Sequence, residues 1–261
     1  MALTSDLDLP WLIDLARAAG DIALGFYRRT VAQWKPDATL VTEADRAVER
    51  FLTDELHRRY ADDGILGEEG AGKQTASGRT WVLDPIDGTA VFAAGLPIWA
   101  VCIGLMVGER ATAGVVYLPA TRDCFAAGLA GPATLNGVPI QVLTPGPLHI
   151  DSMIFGAADA HRRWQIDFPG KVRGFGSCAA NICFVAGGSG VGAVNTGTAL
   201  WDVAAALPIL ERAGGWAVLL DGSPLPLAQM FDGAKLTAPV LAAPPHYLDD
   251  LRTRLRFVGR P

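Results

Sequence analysis

The chain has 261 residues, half of them apolar and 19% charged, with a formal net charge of −5. That composition excludes an intrinsically disordered chain, and the acidic balance excludes a basic nucleic-acid surface. No apolar stretch is long enough to cross a bilayer and no charged-then-apolar leader opens the chain, so a cytoplasmic protein with no membrane partner is expected.

Asp8-Leu9-Pro10 starts a first helix, with the proline tolerated in the first turn, and Trp11, Leu15, Ile22 and Phe26 recur at helical spacing. Arg28 and Arg29 are expected to complement the negative end of its dipole. After a polar loop, Lys35-Pro36-Asp37-Ala38-Thr39, the segment Thr42-Glu43-Ala44-Asp45 has the form of a capping box. The second helix it opens runs to about Tyr60 and buries Val48, Phe51, Leu52 and Leu56. The two helices are expected side by side over a sheet. Gly64 to Gly67 is a short apolar edge running into Glu68-Glu69, and Gly70 to Gly78 reads as a mobile loop. Trp81-Val82-Leu83 is a buried strand that breaks at Asp84-Pro85-Ile86-Asp87-Gly88-Thr89, and a short helix or turn follows to Ala94.

Ala100 to Val107 and Ala111 to Leu118 then flank Gly108-Glu109-Arg110 as an antiparallel hairpin, and Asn136-Gly137 marks a tight turn. Thr144-Pro145-Gly146-Pro147 is the expected domain boundary, dividing 1–145 from 146–261. Beyond it, Met153 to Gly156, Val191 to Asn195, Trp216 to Leu220 and Pro239 to Ala243 read as strands. Ala179 to Val185 reads as a helix stopped at Gly187-Gly188, and Tyr247 to Leu255 as a closing helix. A further helix is expected to start at Asp202, to bury Val203, Leu207 and Leu210, and to bend at Pro208. The four cysteines lack metal-site spacing and read as reduced thiols.

Acidic residues stand where three apolar segments break: Glu68-Glu69, Asp84 with Asp87, and Asp202. Carboxylates converging at strand ends, beside a Gly-Thr turn, suit a hard cation together with a phosphate. Each also has an ordinary reading. Asp84 to Gly88 can be a plain Asp-Pro, Asp-Gly turn, Asp202 a helix cap, Glu69 a solvated charge, and Asp45 only the closing member of its capping box. His57 and His161 read as solvated rather than catalytic, and Gly187-Gly188-Ser189-Gly190 lacks the spacing of a dinucleotide loop.

Four motifs in order, Thr42-Glu43-Ala44-Asp45, Gly67-Glu68-Glu69, Asp84-Pro85-Ile86-Asp87-Gly88-Thr89 and Trp201-Asp202-Val203-Ala204-Ala205, resemble those of the inositol monophosphatase family. Gly176-Ser177-Cys178-Ala179-Ala180-Asn181 and Ala213-Gly214-Gly215 resemble two further landmarks of that family, so the likeness covers nearly the whole chain. The resemblance implies an α/β fold, a layered α/β/α/β/α sandwich of the type shared with fructose-1,6-bisphosphatase. It implies a lithium-sensitive, Mg²⁺-dependent phosphomonoesterase, commonly a homodimer, in which a metal-activated water attacks a small phosphorylated metabolite. Glu68, Asp84, the carbonyl of Ile86, Asp87 and Asp202 would hold two Mg²⁺ ions, with Asp45 near a third, weaker position. Thr89, paired with Glu68, would orient the attacking water. The amides of Gly88 and Thr89 would hold the phosphate, with Asp87 and Asp202 bordering the substrate. Ser177, Cys178 and Asn195 would contact its alcohol.

The chain departs from the inositol-specific pattern at Asn195, where members acting on inositol phosphates usually carry an acid, and at Ala90-Val91. The segments around Thr42, Gly64 and Ala94-Gly95-Leu96-Pro97 look more like the histidinol-phosphate phosphatase branch. The substrate therefore stays open among inositol, histidinol, sugar and nucleotide phosphates. A catalytically silent phosphate-binding protein is the alternative of another class, and the intact set Glu68, Asp84, Asp87, Thr89 and Asp202 speaks against it.

Overall fold

The computed structural model describes residues 7–34, 40–70, 72–73, 75–156 and 160–259. The expected polar loop at 35–39 lies outside them, as do two residues of the glycine-rich stretch 70–78. Helix α1 (Leu9–Phe26) starts on an Asp8 cap that accepts from the Trp11 amide at 3.0 Å, with Pro10 in its first turn. Its buried stripe is Leu12, Leu15, Ala16, Ala19 and Ala23, rotated from the larger residues, so that Trp11, Ile22 and Phe26 are only half-buried. Small residues let the helix approach the sheet, and a Cβ on Gly20 would sit 2.6 Å from the Tyr117 ring. Arg28 does not reach the last carbonyls of α1. The helix has already ended, Arg28 takes φ +62°, and its side chain bonds the Gly95 carbonyl instead.

A two-residue pair, β1 (Gln33–Trp34) with β2 (Leu40–Val41), leads to α2 (Glu43–Arg59), where Thr42 and Asp45 complete the reciprocal capping box. One sheet then runs from β3 (Gly64–Gly67) through β4 (Gly72–Lys73), β5 (Arg79–Asp87), β6 (Ala100–Val107), β7 (Arg110–Leu118), β8 (Asp123–Ala127), β9 (Thr134–Leu135) and β10 (Val138–Pro139). Between β5 and β6 lies the short helix α3 (Thr89–Ala93). The spatial order is β10-β9-β8-β7-β6-β5-β3-β4, antiparallel except for the β3–β5 pair. The Asn136-Gly137 turn has both residues at positive φ, as a tight hairpin requires. Strand β8 escapes a pattern reading because Cys124, Phe125, Ala126 and Ala127 are buried on both faces and show no alternation.

The second half contributes β11 (Met153–Phe155), α4 (Ala160–Arg163), β12 (Trp164–Ile166), β13 (Lys171–Arg173), α5 (Cys178–Ala186), β14 (Gly192–Asn195), α6 (Leu200–Val203), α7 (Ala206–Arg212), β15 (Trp216–Leu219), β16 (Val240–Ala243), α8 (Pro245–Arg254) and β17 (Leu255–Phe257). His161 lies exposed on the short α4. A five-stranded sheet has the order β13-β11-β14-β16-β15, and β12 pairs with β17. Helices α1 and α2 cover one face of the large sheet, while α5, α6 and α7 lie between the two sheets and α8 packs beyond the second. The result is the layered α/β/α/β/α arrangement. Strand β6 serves two of these layers, sending Val101, Ile103 and Leu105 toward α1 and α2 and Ala100, Cys102 and Met106 toward the inner helices.

The helix expected from Asp202 is two helices. Asp202 is in the first turn of α6 rather than at its cap, and the break falls at Ala204-Ala205, not at Pro208. Pro208 lies in the first turn of α7, where a missing N–H costs little. The break rests on glycine. Gly104 and Gly114 are register partners on β6 and β7. A Cβ on Gly104 would lie 2.7 Å from Ala204 C, and one on Gly114 only 2.2 Å from Ala205 O. The α6–α7 junction therefore sits directly on sheet backbone.

Candidate active site

Asp84 and Asp87 are three apart, and on a regular strand they would face opposite sides. The ladder pairs Asp84 with Cys102 but Asp87 with Ala100, so β5 carries one extra residue between them. That bulge, between Asp84 and Asp87, brings both carboxylates to one side. Strand β3 runs parallel beside β5 with Gly67 opposite Leu83, which carries Glu68 to the same sheet end. The seat on Gly104 and Gly114 delivers Asp202 from the inner layer. Carboxylate oxygens of Asp84, Asp87 and Asp202 consequently lie within 4.8 Å of one another.

These acids are tied down from several directions. Asp84 Oδ1 accepts from the Ile86 amide at 3.1 Å, and Asp202 Oδ2 from the Ala199 amide at 2.7 Å. Asp87 faces the N-terminus of α5, accepting from the Cys178 amide at 3.0 Å, the Ala179 amide at 2.7 Å and the Ser177 hydroxyl. Burial pushes the Asp84 carboxyl well above the usual carboxylate range, and the charges of Glu68, Asp87 and Asp202 push it further. Asp202 is raised well above that range by burial and then by Asp87, against the Ala199 bond and the charge of Lys235. Burial also raises Asp87, opposed by its bonds from Ser177 and the α5 amides. A cluster of three hard oxygen donors with raised proton affinity fits a small divalent cation, which would relieve all three charges at once.

Glu68, Gly88, Thr89 and Asp202 line a cleft of about 350 Å³, together with Trp34, Trp201 and Lys235. Gly88 opens α3 at φ +95°, and a Cβ there would lie 3.1 Å from Gly176 O. The Thr89 hydroxyl bonds Asp45 Oδ1 at 3.2 Å and the Ile86 carbonyl at 3.1 Å. The expected partner was Glu68. Asp45 takes that place because α2 begins beside α3, and its other oxygen accepts from the Thr42 amide and hydroxyl at 2.7 and 2.6 Å. Asp45 is fully buried, engaged in capping and in holding Thr89, and stands outside the three-carboxylate cluster.

Ser177, expected against the alcohol, is fully buried. It donates to Asp87 and accepts from the Ala180 amide as the cap of α5. Ser177, Cys178 and Asn195 all line a smaller lobe of about 170 Å³, with Asn181, Thr198 and Asp202. Burial, then Asp202 and Asp87, push the Cys178 thiol well above its usual range. Lys235 and Trp34 were missed by the sequence reading. Both lie on segments with no local motif, and only their approach to the cleft gives them significance.

Comparison with known proteins gives a consistent result. A model described as the inositol monophosphatase family matches residues 9–251. A histidinol-phosphatase from Chlorobaculum parvum is 33% identical over 91% of this chain and 97% of its own length. An inositol-1-monophosphatase from Synechocystis is 38% identical over 72% of this chain and 70% of its own. Among solved structures, an IMPase from Thermotoga maritima superposes with a TM-score of 0.82 at 26% identity, covering 94% of this chain and 95% of that one.

Proposed function

This chain belongs to the inositol monophosphatase family and is a phosphoric monoester hydrolase; from that premise we propose that it hydrolyses a small phosphomonoester at the Asp84–Asp87–Asp202 cluster with Mg²⁺. The observation that carries the reading is this buried carboxylate trio beside Thr89 and Asp45. Glu68, Asp84, Asp87, Asp202 and the Ile86 carbonyl would hold the metal. When bound, two such ions supply an activated water and neutralise charge on the leaving oxygen.

The protein's own groups have distinct tasks. The Thr89 hydroxyl has both Asp45 Oδ1 and the Ile86 carbonyl as acceptors for its one proton, and with that proton directed to Asp45 its oxygen lone pairs are left to accept from the attacking water. Burial raises the Asp45 carboxyl despite its bonds, so it can draw that proton through Thr89. Gly88 and Thr89, at the start of α3, present backbone amides to the phosphate along the cleft. Lys235, on the cleft wall, adds positive charge opposite Asp202.

The relatives support two alcohols, since one is named for inositol phosphate and another for histidinol phosphate. A homodimer in the cytoplasm, with 1–145 and 146–261 as its two domains, completes the proposal, the compartment supported by four free cysteines. Phosphate release from a panel of phosphomonoesters, with Mg²⁺ and with a chelator, tests the reading. Turnover that the chelator abolishes is expected; no turnover on any ester, or turnover indifferent to the chelator, refutes it.

A further inference from the structure

Glu68 follows directly on β3, and its backbone is held from two neighbouring elements. Its own amide donates to the Leu83 carbonyl of β5 at 3.2 Å, which continues the parallel pairing of the two strands. The chain then turns through Gly67–Gly70, closed by a long bond of 3.4 Å from the Gly70 amide to the Gly67 carbonyl. The third residue of such a turn has an amide that the turn itself does not use, and a backbone donor away from water needs a partner. Here that donor is the Glu69 amide, and Glu49 Oε2, on α2, accepts from it at 2.8 Å.

Glu49 is only 5% exposed, and a glutamate is seldom buried to that degree unless it is bonded. The helix that carries it is firmly seated, with Val48 and Leu52 fully buried in the core between α1, α2 and the large sheet. Asp45, one turn earlier on the same face of α2, holds the Thr89 hydroxyl at 3.2 Å. One face of a single helix therefore fixes both Thr89 and the peptide that follows Glu68. That peptide is planar, so holding the Glu69 nitrogen also orients the Glu68 carbonyl. Only side-chain torsions are then left to bring the Glu68 carboxylate to the cleft that it lines. A charged acceptor makes the stronger kind of bond for this purpose.

Resting on the reading of Glu68 as a Mg²⁺ ligand, we propose that Glu49 is a positioning residue that presets Glu68 and so sets the Mg²⁺ affinity of the site. A purely structural Glu49 would only anchor the end of β3 to α2. The two roles differ in what the bond protects: metal binding in the first, the fold alone in the second.

The test combines calorimetric Mg²⁺ titration of the full chain without substrate, hydrogen exchange of the Glu69 amide in the metal-free protein, and thermal melts. Glu49→Ala should weaken Mg²⁺ binding about 10–100-fold, the loss usual when a group that orients a metal ligand is removed. Its Glu69 amide should exchange at least roughly tenfold faster. Glu49→Gln keeps an acceptor oxygen in place and should hold the affinity within about threefold of the wild type. Glu49→Asp keeps the charge but draws the acceptor back by one methylene, and should weaken binding about tenfold or more. Glu43→Ala removes an exposed carboxylate from the first turn of the same helix and should leave Mg²⁺ binding unchanged. A folded Glu49→Ala with wild-type Mg²⁺ affinity, whatever its melting temperature, overturns the proposal. So does unchanged exchange at Glu69, a glutamine variant that binds no better than the alanine one, or a Glu43→Ala that weakens binding as much. Should Glu49→Ala not fold, the contrast between Glu49→Gln and Glu49→Asp decides, and equal affinities in those two overturn it. A wild type that binds no Mg²⁺ and releases no phosphate from phenyl phosphate would sink the hydrolytic reading, and the role of Glu49 with it.

Discussion

Gly114→Ala probes how Asp202 reaches a site built on another sheet. The new methyl would lie 2.2 Å from the Ala205 carbonyl oxygen and 2.7 Å from Ala205 Cα, where ordinary contact begins at 3.4 Å, so the α6–α7 junction must retreat by about 1.2 Å. The obstructing atoms are backbone and cannot swing aside as a side-chain end can. Overpacking of this kind costs ~1–3 kcal/mol. In a chain of this size each kcal/mol lowers the melting temperature by roughly 2–4 °C, so a fall of about 2–12 °C is expected. The second effect is on function. Asp202 precedes Ala205 by three residues, and Mg²⁺ demands oxygens near 2.0–2.1 Å in close to octahedral array, about ±0.2 Å. A shift several times that tolerance should raise the Mg²⁺ concentration for half-maximal turnover at least roughly tenfold. Gly25→Ala is the control: it adds a methyl with nothing within 4 Å on α1 and should stabilise by ~0.5–1 kcal/mol. Thermal melts and Mg²⁺ titration of activity read both effects. Wild-type melting and Mg²⁺ dependence in Gly114→Ala would refute the seating argument.

Other perturbations separate the roles assigned above. Asp84 and Asp202 have folded-state proton affinities above the ordinary value near 3.8, so the metal-free folded chain holds more protons than the unfolded one. Their contribution is intact below that value and is lost as pH rises through the raised one, so metal-free melts should decline with rising pH and the Mg²⁺-induced increase should grow; a pH-independent Mg²⁺ shift argues against the cluster. Thr89→Val should lower kcat about 10²–10⁴-fold with the fold intact, and Asp45→Asn should follow it, because the two act as one unit; normal kcat in either removes the proton relay. At the other end of β5, Asp63 bonds the Trp81 indole at 2.9 Å and pairs with buried Arg79 at 3.1 Å. Asp63→Ala leaves that guanidinium without its carboxylate and should cost ~3–5 kcal/mol in denaturant melts, with any surviving folded protein still active. Ser177→Ala removes both the α5 cap and a bond to Asp87, and should cost ~1–2 kcal/mol by the same assay while weakening Mg²⁺ dependence.

Much of the architecture was readable because its signals are local. The Thr42–Asp45 capping box, the Asn136-Gly137 turn and the apolar run before Asp84 depend on residues within a few positions of one another, where backbone geometry allows few solutions. The misplacements have equally physical causes. Apolar spacing put the α1 face on its largest residues, but close packing on the sheet selected the alanines. Proline suggested a bend at Pro208, but its place in a first turn made it harmless and the glycine seat put the break at Ala204-Ala205.

The sequence by itself determined which acids exist, that Glu68, Asp84, Asp87 and Asp202 stand where apolar segments break, and that the whole set resembles one family of phosphatases. Only the tertiary structure decided that Asp87 is held by α5, that Thr89 belongs to Asp45, and that Asn181 meets Asn195. Those bonds join residues distant in sequence or on different layers. The meeting of the acids follows from a strand bulge, a parallel register and two missing side chains on β6 and β7. A local pattern can specify each of these elements, but where their ends meet is set by how closely the layers pack.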